Sequence, residues 1–97
     1  MRCLIVEDNE MAREGLKFFL ADHAEIEVAV NGREAVTQFQ LALSQQKPFD
    51  LVLLDIIMPE MDGQQALKLI RFAEQHDQAP DRKKAVIIRR FFDFGLI

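Results

Sequence analysis

Three acidic side chains follow two short apolar runs of this sequence, and their placement suggests metal chemistry. Asp55 closes the apolar run 51–54, and Glu7 with Asp8 closes the run 3–6. If both runs are neighbouring parallel strands, their carboxyl ends lie at one edge of a sheet, where α/β proteins bind ligands. Carboxylates that lie so close together repel one another unless a cation lies between them. Oxygen ligands that leave room for water and phosphate suit Mg²⁺, so Asp55 could act as a nucleophile toward phosphorus.

The elements that would position these acids alternate between strand and helix. In three segments apolar residues recur at helical spacing: 11–21, 35–43 and 66–73. Four further segments read as strands: 3–6, 25–30, 51–54 and 85–88. The resulting order, βαβαβαβ, predicts an α/β domain with a parallel sheet and right-handed crossovers.

Local patterns sharpen these predictions. The uniformly apolar run 51–54 is typical of a strand buried on both faces, and 25–30 alternates acids with apolar residues as an exposed edge strand does. Asp55 is expected to open a loop shaped by Pro59. Either Asp8 or Asn9 is expected to cap the first helix. The apolar face of that helix is expected to comprise Ala12, Leu16, Phe19 and Leu20.

Composition limits the class of protein. The 97 residues, 49% of them apolar, are enough for one domain, 1–97, with a small core. The single cysteine, Cys3, excludes a disulfide framework and fits a reducing cytoplasm. No leader or membrane-spanning run is expected. The net charge is −4, and the basic residues at 82–84 and 89–90 are interpreted as a solvated loop and strand end, not as a nucleic-acid surface.

Taken together over residues 1–88, these segments resemble the phosphoacceptor receiver domains of bacterial two-component response regulators. The segments that carry the resemblance are the strand and acid pair 4–9, the pair Asn31-Gly32 that opens the second helix, and the long segment 49–63. The resemblance implies a flavodoxin-like receiver fold. In it, an open parallel sheet of strand order 2-1-3-4 has helices on both faces.

The resemblance also implies a set of roles. Asp55 would accept a phosphoryl group from a sensor histidine kinase or a phosphotransfer protein. Asp8 would bind Mg²⁺ directly, Glu7 would hold it through water, and the backbone carbonyl of Ile57 would complete the protein ligands. Such a domain is a signalling acceptor and not an enzyme, and no direct contact with nucleic acid or membrane is expected.

The sequence departs from the family pattern near its end. The family's fourth strand ends in a Ser or Thr that binds the phosphate, and alignment of 85–88 places Arg89 or Arg90 there. Up to Ile97 there is no counterpart of the fourth helix, of the fifth strand with its aromatic switch residue and phosphate-binding Lys, or of the fifth helix. The chain is therefore predicted to be a shortened receiver domain in which the fifth strand is missing.

The end of the sequence also predicts self-association. Segment 85–88 is apolar on both faces, and the atypical tail 89–97 contains three Phe residues, a Leu and an Ile. An apolar strand edge without a partner strand invites pairing with another chain. We therefore expect two copies to associate through the strand at 85–88 and the tail.

Other interpretations remain open from the sequence. Asp8 could serve only as a helix cap and Asp55 only as a turn residue. The domain could be a receiver-derived interaction module that is not phosphorylated. A small Mg²⁺-dependent hydrolase is less consistent, because a second acid is expected two residues after the nucleophile, where Ile57 stands.

Overall fold

The computed structural model of the chain describes residues 1–55, 63–77 and 84–90, with residues 89 and 90 described by their backbone alone. Within these ranges the elements follow one another as β1 (Arg2–Val6), α1 (Glu10–Leu20), β2 (Glu25–Ala29), α2 (Gly32–Ser44), β3 (Leu51–Asp55), α3 (Gly63–Gln75) and β4 (Val86–Arg90). Strands and helices alternate as the sequence pattern predicts. The fold is therefore α/β.

The four strands form one parallel sheet of order β2-β1-β3-β4, so the predicted strand order is confirmed. The chain reverses direction along the sheet between β2 and β3, which places β1 and β3 side by side at its centre. In such sheets the crevice at the carboxyl ends of the central strands is where ligands bind. This arrangement brings the ends of β1 and β3 to one edge.

Two strands are longer at their carboxyl ends than the sequence indicates. Asp55 is the last residue of β3 and not the first residue of a loop, and β4 runs from Val86 to Arg90, not over 85–88. The reason is the pairing of these two strands, because Leu54 is in register with Arg89 and Asp55 with Arg90. The β3–β4 ladder thus extends to the edge where the acids lie.

The main core lies between one face of the sheet and the helices α2 and α3. Alternate side chains of the strands belong to this core, as at Leu4 and Val6 in β1 and Val52 and Leu54 in β3. Helix α2 adds Phe39, whose ring stacks on Phe49 with 6.2 Å between centroids. In the predicted helical segment 66–73, Ala66 and Ile70 are buried in this core, and Ala73 is partly buried and packs against it. The core therefore fixes the positions of β1 and β3 from this side.

The opposite face of the sheet is covered only in part. Helix α1 packs on β1 and β2, and Ile5 beneath it is fully buried. Leu53 in β3 is only half-buried, and Val86 and Ile88 in β4 are 59% and 48% exposed. The prediction that 51–54 is buried on both faces is therefore wrong, because α1 lies over the other half of the sheet.

Helix α1 itself is less buried than its pattern indicates. Ala12, Leu16 and Leu20 are half-buried, but Phe19 is 77% exposed, which contradicts its predicted place on the inner face. Phe19 lies beside the half-buried stripe of the helix and not within it. Among the described residues, no helix combines the length and apolar character needed to cross a bilayer.

Cys3 is a core residue, as its lone occurrence suggests. Its side chain is fully buried in β1, and burial raises the pKa of the thiol from 9.0 to about 11. Desolvation disfavours the thiolate, so the group stays protonated at neutral pH. Cys3 therefore acts in packing and not in chemistry.

A side-chain pair on α3 holds the start of β4. Glu74 accepts a hydrogen bond from the backbone N–H of Ala85 at 2.8 Å, and Arg71 donates to the carbonyl oxygen of Ala85 at 3.1 Å. The two side chains also pair with each other at 2.5 Å, with Glu74 only 6% exposed. Both backbone groups of Ala85 are thus satisfied by α3, which fixes where the outer strand begins.

We expect Glu74→Ala to lower the free energy of unfolding by about 2–3 kcal/mol, because it leaves Arg71 and a buried backbone N–H without their partner. Urea unfolding followed by circular dichroism measures this change. Glu14→Ala is the matched control: Glu14 also pairs three residues along its helix, with Lys17 at 3.6 Å, but is 57% exposed. The control should cost less than about 0.5 kcal/mol. Equal effects of the two substitutions would contradict the assignment.

Candidate metal centre

The register of β1 and β3 brings the three acids of the sequence together. Val6 is in register with Leu54, so the next residue of each strand, Glu7 and Asp55, reaches the same edge of the sheet. One carboxylate oxygen from each of Glu7, Asp8 and Asp55 can be chosen so that all three lie within 4.8 Å of one another. The predicted convergence of these acids is therefore present in the structure.

Two of the three carboxylates are buried. Glu7 is 3% exposed and Asp55 is 6% exposed, whereas Asp8 is exposed to solvent. The backbone N–H of Glu7 donates to the carbonyl oxygen of Ala29 at 3.0 Å, which holds the end of β1 against β2. The cluster is thus fixed by the sheet on its inner side and open to solvent at Asp8.

The start of α1 settles which residue caps that helix. The side-chain oxygen of Asn9 accepts a hydrogen bond from the backbone N–H of Ala12 at 2.9 Å, and the backbone N–H of Asn9 donates to the Glu7 carboxylate at 3.3 Å. Asn9, and not Asp8, is the N-cap. Asp8 therefore remains beside Glu7 and Asp55 without a role in capping.

The donor set suits a hard divalent cation. Three carboxylates carry three formal negative charges in a small volume, and all the donors are oxygens. Such close approach of like charges is unfavourable unless a cation or a proton reduces the repulsion. Ligands of Mg²⁺ at about 2.1 Å place opposite oxygens about 4.2 Å apart, so the cluster is close to the size that one ion requires. The site therefore fits Mg²⁺ by chemistry and by dimension.

Some predicted site residues lie outside the described part of the chain. Ile57, whose backbone carbonyl is the fourth expected ligand, belongs to segment 56–62, which also contains Pro59, the residue expected to shape the loop. The tail 91–97 also lies outside the described residues. The role of Ile57 therefore stays a prediction, and the described geometry of the site is that of the three acids.

Two basic residues near the acids were not assigned to the site from the sequence. The Arg13 guanidinium donates to the backbone carbonyl oxygen of Glu7 at 3.0 Å, and Arg90 is the register partner of Asp55 on β4. The proximity of Arg13 to the acids could have been predicted from the sequence. When a helix directly follows a strand, its first turn lies beside the end of that strand. Arg90 could not be distinguished from Arg89 without the register of β3 and β4.

Known proteins share this sequence pattern. The family model of the response regulator receiver domain matches residues 3–85. The uncharacterized transcriptional regulatory protein YhcZ of Bacillus subtilis is 45% identical over 71 residues, which are 70% of this chain and 31% of that protein. The response regulator protein VraR of Staphylococcus aureus is 35% identical over 74 residues, covering 73% of this chain and 33% of that protein. The chain thus spans about a third of the length of these two relatives.

Solved structures share the fold. The receiver domain of the histidine kinase CKI1 from Arabidopsis thaliana, complexed with Mg²⁺, superimposes with a TM-score of 0.80 at 32% identity, covering 91% of this chain and 65% of that one. A second match comes from the co-crystal structure of the Saccharomyces cerevisiae histidine phosphotransfer signaling protein Ypd1 and the receiver domain of its downstream response regulator Ssk1. Its TM-score is 0.74 at 29% identity, and it covers 92% of this chain and 61% of the matched one.

Proposed function

This chain belongs to the response regulator receiver domain family, and from that premise we propose that it is the phosphoacceptor of a two-component phosphorelay, with Asp55 as the residue that is phosphorylated. The observation that carries the proposal is the convergence of Glu7, Asp8 and Asp55 at the carboxyl edge of the central strands. The family matches support a signalling domain rather than an enzyme. At most, such a domain promotes its own phosphorylation.

The transfer itself needs one nucleophile and one leaving group. A carboxylate oxygen of Asp55 attacks the phosphorus of a phosphohistidine, the P–N bond breaks, and its electron pair remains on the imidazole nitrogen, which takes a proton from water. An acyl phosphate on Asp55 is the product. Because Asp55 ends a strand that is paired on both sides, its position is fixed before the donor arrives.

Asp8 and Asp55 would hold Mg²⁺ directly, Glu7 through water, and Ile57 through its backbone carbonyl. When bound, Mg²⁺ would supply positive charge that stabilises the phosphoryl oxygens. Glu7 is positioned for this role because its carboxylate is buried at the end of β1. The exposed Asp8 leaves one side of the site accessible to solvent and to a donor.

The donor we propose is a sensor histidine kinase or a histidine phosphotransfer protein. The co-crystal structure of Ypd1 with the Ssk1 receiver domain supports this class of partner, and the CKI1 receiver domain complexed with Mg²⁺ supports the cation. A cytoplasmic location is consistent with both and with the single buried thiol of Cys3. The cognate kinase would be identified by transfer assays.

We expect beryllofluoride, a mimic of the phosphoryl group, to bind the chain saturably and only when Mg²⁺ is present. The chain contains no Trp and no Tyr, so ¹⁹F NMR or calorimetry is the suitable readout. Chelation of Mg²⁺ should reverse the binding. Absence of any response would favour the interaction module, and continued release of phosphate from acetyl phosphate over many turnovers would favour a hydrolase.

We also propose that residues 1–97 form one receiver domain, which associates with a second copy through its outer strand and the tail 89–97. Val86 and Ile88 are 59% and 48% exposed, and β4 has no further strand beside it among the described residues. Within the part of the chain that the structure describes, its outer edge has no partner strand and lies next to these apolar side chains. Such an edge is most readily covered by another strand.

Self-association is expected to appear in sedimentation velocity at tens of micromolar as a dimer that dissociates on dilution. Ile88→Lys should shift the equilibrium to the monomer, because it places a charge within the paired edge. Leu41→Lys is the control, since Leu41 is similarly exposed, at 52%, but lies on α2. A strictly monomeric mass for the unmodified chain at these concentrations would contradict the proposal.

A further inference from the structure

Asp8 lies between two residues that are both bound to Arg13 in the first turn of α1. Glu7 precedes Asp8, and its backbone carbonyl oxygen accepts a hydrogen bond from the Arg13 guanidinium at 3.0 Å. Asn9 follows Asp8, and its carbonyl oxygen accepts from the backbone N–H of Arg13 at 2.9 Å. Arg13 therefore contacts the chain on both sides of Asp8, once through its side chain and once through its backbone.

Asp8 is the least confined of the three acids. It is exposed, whereas Glu7 and Asp55 are buried at the ends of β1 and β3. Asp8 follows the last residue of β1 and precedes the first residue of α1, so the regular hydrogen bonds of these two elements do not hold it in place. Its carboxylate meets the other two only if the loop between β1 and α1 keeps its path.

We propose that Arg13 is a positioning residue of the metal centre, which holds this loop so that Asp8 faces Glu7 and Asp55. The inference rests on the metal site of the proposed function. A hydrogen bond from a charged donor is stronger than one between neutral groups, and the planar guanidinium is a rigid donor that stays charged. A loop that is already ordered loses less conformational freedom when a ligand binds. Arg13 should therefore raise the affinity of the three acids for Mg²⁺ without touching the ion.

The positive charge of Arg13 by itself would have the opposite effect. A cation near three carboxylates weakens their attraction for Mg²⁺, so removal of the charge alone would tighten Mg²⁺ binding. The guanidinium donates to the backbone carbonyl of Glu7, and Arg13 is only half-buried, so solvent screens its charge. We therefore expect the loss of positioning to exceed the gain from the missing charge. The sign of the change in Mg²⁺ affinity distinguishes the two roles.

The test measures the affinity of the full chain for Mg²⁺ by calorimetry, with circular dichroism to show that every variant is folded. Arg13→Met keeps the aliphatic stem but removes the donors and the charge, and it should weaken Mg²⁺ binding roughly 3- to 10-fold. Arg13→Lys keeps the charge and a donor without the planar fork, and it should restore part of the loss. Without Mg²⁺, ¹⁵N relaxation should show larger backbone motion at Asp8 in Arg13→Met than in the unmodified chain.

Arg33→Met is the matched control, because Arg33 is an exposed arginine in the first turn of α2. It should leave the Mg²⁺ affinity within roughly twofold of the unmodified chain, and an equal loss there would overturn the inference.

The inference is also wrong if Arg13→Met binds Mg²⁺ as tightly as the unmodified chain or more tightly, or if Arg13→Lys binds it as weakly as Arg13→Met. Beryllofluoride separates this result from the proposed function. An unmodified chain that binds Mg²⁺ but no beryllofluoride would refute the phosphoacceptor role, and the Mg²⁺ affinities would still decide the role of Arg13. An unmodified chain that binds no Mg²⁺ would overturn both.

Discussion

Asp55→Asn is expected to abolish phosphorylation by acetyl phosphate and Mg²⁺-dependent binding of beryllofluoride. The amide is a poor nucleophile toward phosphorus, and it replaces one of the three oxygen donors that converge within 4.8 Å. Because Asn has nearly the same shape as Asp, the end of β3 should keep its pairing with β1 and β4. The measurement is the intact mass after incubation with acetyl phosphate and Mg²⁺, which reveals the gain of one phosphoryl group.

The control for this experiment is Asp22→Asn, the same change at an exposed position between α1 and β2. It should leave phosphorylation unchanged. Thermal unfolding of both variants without Mg²⁺ shows whether the fold is retained, so that loss of phosphorylation can be attributed to chemistry. Phosphorylation of Asp55→Asn to the level of the unmodified chain would mean that another residue is the acceptor, and the assignment of Asp55 would be wrong.

Phe39→Ala should produce the largest loss of stability. The Phe39 side chain is 1% exposed, lies on α2 against the sheet and stacks on Phe49. Truncation of a buried Phe costs about 3–5 kcal/mol through lost transfer energy and the cavity left behind. A domain of this size has a total stability of about 5–15 kcal/mol, so the variant should be partly unfolded at physiological temperature. Urea unfolding at low temperature measures the difference.

Phe18→Ala is the matched control for the core truncation. Phe18 is 82% exposed on α1, where its ring meets only the edge of Phe19 among the described aromatic contacts. The control should change the free energy of unfolding by no more than about 0.5 kcal/mol. A similar loss in both variants would show that α1, and not the core under α2, limits stability.

The sequence was sufficient to predict the order of the elements and the meeting of the acids. Alternation of strand and helix patterns requires parallel strands with right-handed crossovers, and parallel strands end at the same edge. Glu7 and Asp55 each follow an apolar run, so their convergence depended only on β1 and β3 being neighbours. Asn31, which the sequence places at the start of the second helix, is its N-cap, since its side chain accepts from the N–H of Glu34 at 2.8 Å.

Burial of the outer sheet face was not predictable in the same way. Segment 51–54 reads as doubly buried and Phe19 as an inner residue, but Leu53 is half-buried and Phe19 is exposed. A sequence pattern indicates how well a residue tolerates burial. Whether another element covers that residue depends on where the neighbouring helix packs, and α1 packs over β1 and β2.

The sequence by itself determined the order of strands and helices, because hydrophobic periodicity is a local property. Together with the resemblance to receiver domains, it also predicted the strand order and the edge at which Glu7, Asp8 and Asp55 meet. Only the tertiary structure decided that Asn9 and not Asp8 caps α1, and that Arg90 and not Arg89 is in register with Asp55. The apolar runs 51–54 of β3 and 86–88 of β4 lack the alternation that fixes register. Their alignment is set by packing and by contacts such as those of Glu74 and Arg71 with Ala85, which join residues distant in the chain.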